Sequence, residues 1–141
     1  MKIVILNGPN LNRLGHRNPD VYGTQSMEQV LLAIQNQWQD VYFEYHQSNH
    51  EGDLIDYIQQ FDGQVNGIVL NPGGYAHTSV ALRDAIEDAQ TPVIEVHISD
   101  ITQRESFRRN SLITDVCHLA IIGKGIDGYK EAVKYIIDSL A

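Results

Sequence analysis

Five short apolar runs, at residues 2–6, 41–47, 67–70, 93–97 and 117–122, alternate along this chain with stretches whose apolar side chains recur at helical spacing. No other feature narrows the fold so far. Runs such as IVIL and GIVL are apolar at consecutive positions, so strands built from them must be covered on both faces. Helices placed between successive strands give that cover, which makes the sheet parallel. With right-handed crossovers, the commonest five-stranded solution is an α/β, doubly wound parallel sheet of flavodoxin-like type in the order 2-1-3-4-5.

The intervening segments agree with this layout. Ser26 and Gln29 form a capping box, and Val30, Leu31, Ile34 and Trp38 follow on one helical face. Val41, Phe43 and Tyr45 alternate with Tyr42, Glu44 and His46, which is the period of a strand. Leu54, Ile55, Ile58 and Phe61 share a face of a second helix over 52–61. Thr78 is placed to cap a third, which buries Ala81, Leu82, Ala85, Ile86 and Ala89. The last helix, from about Asp127, sets Tyr129, Ala132, Val133, Ile136, Ile137 and Leu140 on one stripe. The 141 residues fit one domain, 1–141, large enough to bury roughly two-thirds of its unfolded surface.

Ten Lys and Arg against eighteen Asp and Glu give a net charge of -8, which sets nucleic acid aside as the main partner. Neither a charged-then-apolar leader nor a bilayer-length apolar run is present, so neither secretion nor a membrane is signalled. The single cysteine, Cys117 in CHLAII, reads as a small core side chain in a reducing cytoplasm. The arginines are unevenly placed: Arg13 and Arg17 lie in one segment and Arg104, Arg108 and Arg109 in another, leaving only Arg83 elsewhere. An acidic chain that gathers its arginines this way is suited to hold a small anion there.

In the order 2-1-3-4-5, strands one, three and four are adjacent, and ligands bind such sheets outside the carboxyl ends of the strands. Those ends carry NGPNLNRLGHRNPDVYG, NPGGYAHTS and HISDITQRESFRR. A lone Tyr22 in a Pro-containing loop would only pack as a lid, but three unusual segments at one edge make it a site residue. Glu95 and His97 lie two apart on a strand, on one face and about 7 Å between Cα atoms, so the carboxylate can orient the imidazole. His46 and His50 have the spacing of a metal pair, yet no third ligand is placed near them and a solvated surface is expected. The edge thus offers a phenol, arginines, imidazoles, amides and Ser99, with no placed metal ligands and no nucleophile. That set suits proton abstraction beside a carbonyl followed by loss of a leaving group, with Tyr22 as base and Arg17 stabilising its phenolate.

Other chemistries fit less well. Gly123, Gly125 and Gly128 match a dinucleotide fingerprint, but no strand and acidic residue follow at the required distance, so they read as a tight strand-to-helix turn. A flavin site would want hydroxyls after strand one, and a phosphorelay receiver would want acids where Asn7, Asn10 and Asn71 stand. Of the four lysines, Lys2, Lys130 and Lys134 lie away from the edge, and Lys124 is three strands from strand one, which sets aside a Schiff base. A small-anion or flavin-binding domain without turnover remains the competing class.

The ordered motifs NGPNLNRLG, RNPDVYG, QSNHEGDLID, NPGGYAHTSVALRDA, EVHIS, RESFR and GKGIDGY run nearly end to end. Through them the chain closely resembles the type II 3-dehydroquinate dehydratases. The resemblance implies a cytoplasmic lyase that removes water from 3-dehydroquinate to give 3-dehydroshikimate, without metal or cofactor, in aromatic biosynthesis or quinate breakdown. It implies that Tyr22 takes the C2 proton, that Arg17 keeps it ionised, that Asn10 holds a water against the enolate and that His97 protonates the departing C1 hydroxyl. Asn71, His77 and Arg108 would bind the substrate's polar groups. Ile98 and Ser99 would hold its carboxylate, and Arg104 would close over it with the 8–23 loop. Asp84 would reach a neighbouring subunit's site in a homododecamer, a tetramer of trimers. Asp100 and Thr102 stand where the family commonly shows Asn and His, and Asn110 stands where a His is frequent.

Overall fold

The computed structural model describes residues 1–140. Strands β1 (Lys2–Asn7), β2 (Tyr42–Gln47), β3 (Gly67–Asn71), β4 (Val93–His97) and β5 (Leu119–Ile122) form one sheet in the order β2-β1-β3-β4-β5. Every pairing is parallel, as the apolar runs require. The helices are α1 (Pro19–Tyr22), α2 (Met27–Gln37), α3 (Glu51–Phe61), α4 (Val80–Asp88) and α5 (Asp127–Ser139).

Each central strand splits its side chains between two cores. Ile3, Ile5, Val69, Ile94 and Val96 cluster with Val30 and Ile34 of α2 and with Tyr129, Ala132, Val133 and Ile136 of α5. Val4, Leu6, Ile68 and Leu70 cluster with Leu54, Ile58 and Phe61 of α3 and Leu82 and Ile86 of α4. A fully buried Val, Leu or Ile stabilises by about 1.5–3 kcal/mol, so consecutive apolar residues at the sheet centre favour cover on both sides. Two glycines set how closely α5 lies on the sheet. A Cβ on Gly67 would meet Ile136 Cδ1 at 2.7 Å, and one on Gly128 would meet Val96 Cγ1 at 3.3 Å.

The structure departs from the sequence reading in four places. Ser79, not Thr78, caps α4: its Oγ accepts from the Leu82 N–H at 2.9 Å, while Thr78 ends the 3-10 turn Gly73–His77. Strand β5 starts at Leu119 because the Cys117 N–H is already bonded to the Ile113 carbonyl, closing the turn Thr114–Val116. The 8–23 loop is not irregular throughout, since it folds into a 3-10 turn (Leu11–Arg13) and α1, whose first residue is Pro19. His46 is only partly solvated, since it stacks on Tyr57 at 4.3 Å between ring centroids and bonds to Glu44 at 2.9 Å, while His50 is exposed as expected. The glycine-rich turn after β5 is as expected, with Gly123 and Gly125 at φ 77 and 61. Among the described residues, no helix is long and apolar enough to cross a membrane.

Candidate active site

A cleft opens at the carboxyl ends of β1, β3 and β4, where the three segments singled out above meet. Tyr22, Arg17, Asn71, His77, His97 and Ser99 all line it, as do Ile98, Arg104 and Arg108.

Tyr22 ends α1 and is held from two sides. Its ring joins Leu11, Leu14 and Ile98 in the core and is 8% exposed. The Arg17 guanidinium lies over that ring, 4.0 Å from its centroid. Arg104 Nη1 donates to the phenol oxygen at 2.8 Å and to Ser99 Oγ at 3.4 Å. Arg17 thus meets the phenol at its ring face and Arg104 at its oxygen.

His97 ends β4 with Nε2 2.6 Å from Glu95 Oε2. Ser111 Oγ donates to the same carboxylate oxygen at 2.7 Å, and Thr114 Oγ1 donates to Oε1 at 2.5 Å. Burial by itself pushes the Glu95 carboxyl up, but the His97 bond and charge and the two hydroxyls outweigh it and hold the group below its ordinary range. An ionised carboxylate only accepts, so Nε2 of His97 carries a proton and Nδ1 is the ring nitrogen left free of Glu95. The neighbouring His77 has its ring centroid 6.1 Å from that of His97. Its Nδ1 lies 3.0 Å from the Asn110 carbonyl, which can only accept.

Asn71 is nearly buried, and its amide is fixed at both ends: Oδ1 accepts from the Gly73 N–H at 3.1 Å and Nδ2 donates to Tyr129 Oη at 3.0 Å. Arg108 Nε comes within 2.8 Å of Glu105 Oε2 but is not aligned with it, leaving that buried donor without a hydrogen bond. Arg108 lines the cleft as one half of an ion pair with Glu105, and a guanidinium at that edge is suited to an anionic or hydroxylated ligand.

Asn10 and Asp84 stand outside the cleft, Asp84 being the residue expected in a neighbouring subunit's site. Asn10 is exposed in a left-handed conformation, φ 70, and its N–H donates to Asn49 Oδ1 at 3.0 Å. Asp84 is exposed on α4 beside a shallow groove lined by Ile55, Gln59 and Asp88. The residues that depart from the resembled pattern have local roles. Asp100 Oδ1 accepts from the Thr102 N–H at 3.0 Å and from Thr102 Oγ1 at 2.5 Å, which closes a 3-10 turn, and Asn110 contributes only its carbonyl to His77. No lysine lines the cleft, and among the described residues no three His, Cys, Asp or Glu side chains are grouped to hold a metal ion. Sequence reasoning missed Ser111 and Thr114, whose hydroxyls sit in an ordinary polar connection; it placed Tyr129 in the core, where it lies, without a partner for its hydroxyl.

A family model described as dehydroquinase class II matches residues 1–137. The chain is 48% identical over 139 residues to the 3-dehydroquinate dehydratase of Bacillus licheniformis, covering 97% of this chain and 96% of that one. The type II dehydroquinase of Butyrivibrio crossotus has a crystal structure similar to this one at TM-score 0.93 and 42% identity, over 98% of each chain. That of Propionibacterium acnes is similar at TM-score 0.91 and 33% identity, over 97% of each chain. Matched from β1 through α5 in sequence and in fold, the chain belongs to the class II dehydroquinase family.

Proposed function

We propose that this protein dehydrates 3-dehydroquinate to 3-dehydroshikimate, a hydro-lyase step of the shikimate route, without a cofactor. The observation that carries this reading is the pairing, in one cleft, of a phenol held by two arginines with an imidazole backed by a buried carboxylate. Tyr22 takes the proton from C2, alpha to the ketone, and the C–H electron pair forms an enolate. Arg17 and Arg104 favour the phenolate that performs this step. The enolate then re-forms the C3 carbonyl and expels the C1 hydroxyl, which leaves as water with a proton from His97. Asn71, His77 and Arg108 bind the substrate's polar groups, and the Ile98 and Ser99 backbone with the Ser99 hydroxyl takes its carboxylate. Asn10 holds a water against the enolate, a role that needs the 8–23 loop to carry it inward as Arg104 closes over the substrate.

Adding 3-dehydroquinate to the purified protein should raise the ultraviolet absorbance of a conjugated enone. Borohydride added with substrate should leave no reduced lysine adduct in the mass spectrum. Binding without enone formation would sink the lyase reading, and an adduct would replace the enolate route by a Schiff base.

Exposed on α4, Asp84 has no part in its own chain's cleft, which is consistent with its completing a neighbour's site in a homododecamer built of trimers. Mixing Asp84→Ala and Tyr22→Phe subunits, each impaired alone, should then restore part of the activity, because some sites receive an intact residue from each. A fully active monomer in light scattering would refute the shared site.

A further inference from the structure

A line of hydrogen bonds runs beneath the cleft in one direction. The Gly73 N–H donates to Asn71 Oδ1 at 3.1 Å, Asn71 Nδ2 to Tyr129 Oη at 3.0 Å, Tyr129 Oη to Asn7 Oδ1 at 2.8 Å, and Asn7 Nδ2 to Tyr45 Oη at 3.3 Å. A backbone N–H cannot reverse its role, so Gly73 sets the orientation of every group after it. Asn7 and Asn71 are register partners at the ends of β1 and β3, which turns both amides to the same side of the sheet. On that side lies α5, brought close by Gly67 and Gly128, so the hydroxyl of Tyr129 can bridge the two amides.

The rest of the Tyr129 environment asks only for an aromatic ring. Its helical neighbours Ala132, Val133 and Ile136 are apolar and wholly buried, and a Phe would fill the same space. Its hydroxyl is therefore the informative part. Burial pushes that hydroxyl far above the usual phenol range, and the Asn71 bond only partly offsets it, so it stays protonated and accepts and donates at once.

We infer that Tyr129 is a positioning residue for the dehydration: its hydroxyl locks the Asn71 amide so that the second N–H of Nδ2 is offered to the substrate as a donor. Without this second contact only the 3.1 Å bond from the Gly73 N–H opposes rotation of the amide, and whenever it turns it presents its oxygen, which repels the lone pairs of a substrate hydroxyl or carbonyl. The inference rests on the proposed reaction in one respect, that Asn71 binds substrate.

The test is a double-mutant cycle in steady-state kinetics with Tyr129→Phe, Asn71→Ala and the double variant, each verified as folded by circular dichroism at the assay temperature. Loss of a binding contact worth one hydrogen bond raises KM by about tenfold with little change in kcat. Tyr129→Phe should show that pattern, and in the Asn71→Ala background it should add nothing further. A KM unchanged by Tyr129→Phe, or effects on KM that multiply in the double variant, would overturn the assignment. If Tyr129→Phe does not fold, Asn7→Ala replaces it. Removing that acceptor frees the Tyr129 proton to turn toward Asn71 and compete with the Gly73 N–H for its oxygen, so KM should again rise only while Asn71 is present, and an unchanged or multiplicative KM again overturns it. Wild type that turns over no 3-dehydroquinate would sink the dehydratase reading, and this assignment with it, whereas an active wild type with an unaffected Tyr129→Phe sinks the assignment alone.

Discussion

Tyr22→Phe should lower turnover by about 10²- to 10⁴-fold, the usual contribution of a general base, while the protein remains folded. The ring keeps its place in the cluster with Leu11, Leu14 and Ile98 and under the Arg17 guanidinium, none of which hydrogen-bonds to the oxygen. What is lost is the acceptor for Arg104 Nη1, a part-buried contact at 2.8 Å. One such hydrogen bond contributes on the order of 1 kcal/mol to stability, too little to unfold a domain of ordinary stability. A melting curve near wild type together with collapsed kcat would place the defect in the chemistry. Wild-type turnover by the variant would remove Tyr22 from the mechanism.

Glu95→Gln should have the second largest effect, because it alters the charge, the tautomer and the packing of His97 at once. The carboxylate accepts from His97, Ser111 and Thr114 while wholly buried, and an amide of the same shape has one accepting oxygen and an NH₂ group that must itself find an acceptor. His97 then loses the carboxylate that orients its ring, and kcat should fall by roughly 10²-fold or more. The stability difference should depend on pH, with a definite sign. Because the folded Glu95 carboxyl sits below its ordinary range, the contribution of its charge is complete above the unfolded value, about 4.3, and is lost as pH falls through the folded value. Denaturation curves of wild type and Glu95→Gln should therefore differ most at neutral pH and converge in acid. A gap that widens in acid would show that Glu95 is neutral in the folded protein.

Much of this architecture could be read from the chain, and the reasons differ by element. Strand order was legible because IVIL and GIVL admit only a doubly covered strand, and parallel crossovers leave few arrangements. The Glu95–His97 pair was legible because a strand returns every second side chain to the same face. Element ends were less so: Thr78 and Ser79 are both competent caps, and only the preceding 3-10 turn decides between them. Cys117 and His118 look as strand-like as Leu119, and a backbone bond to Ile113 decides there. Tyr129 was illegible for a deeper reason. On a helical stripe an aromatic residue is explained by its ring alone, and only the amides of Asn7 and Asn71, far away in the sequence, give its hydroxyl a purpose.

The bond between Tyr129 and Asn7 joins residues 122 positions apart, so it closes a loop made of nearly the whole chain. Loop-closure entropy grows with span, and contacts of this length reward the chain only after it has been overcome. A folding intermediate with all five strands paired but α5 still undocked would own the sheet and lack an oriented Asn71. If Asn71 binds substrate as proposed, its share of the affinity arrives with the final docking event and not with the sheet. Substrate would then bind the finished molecule in preference to its precursors and by mass action hold α5 in place, so that added 3-dehydroquinate should slow amide exchange in α5.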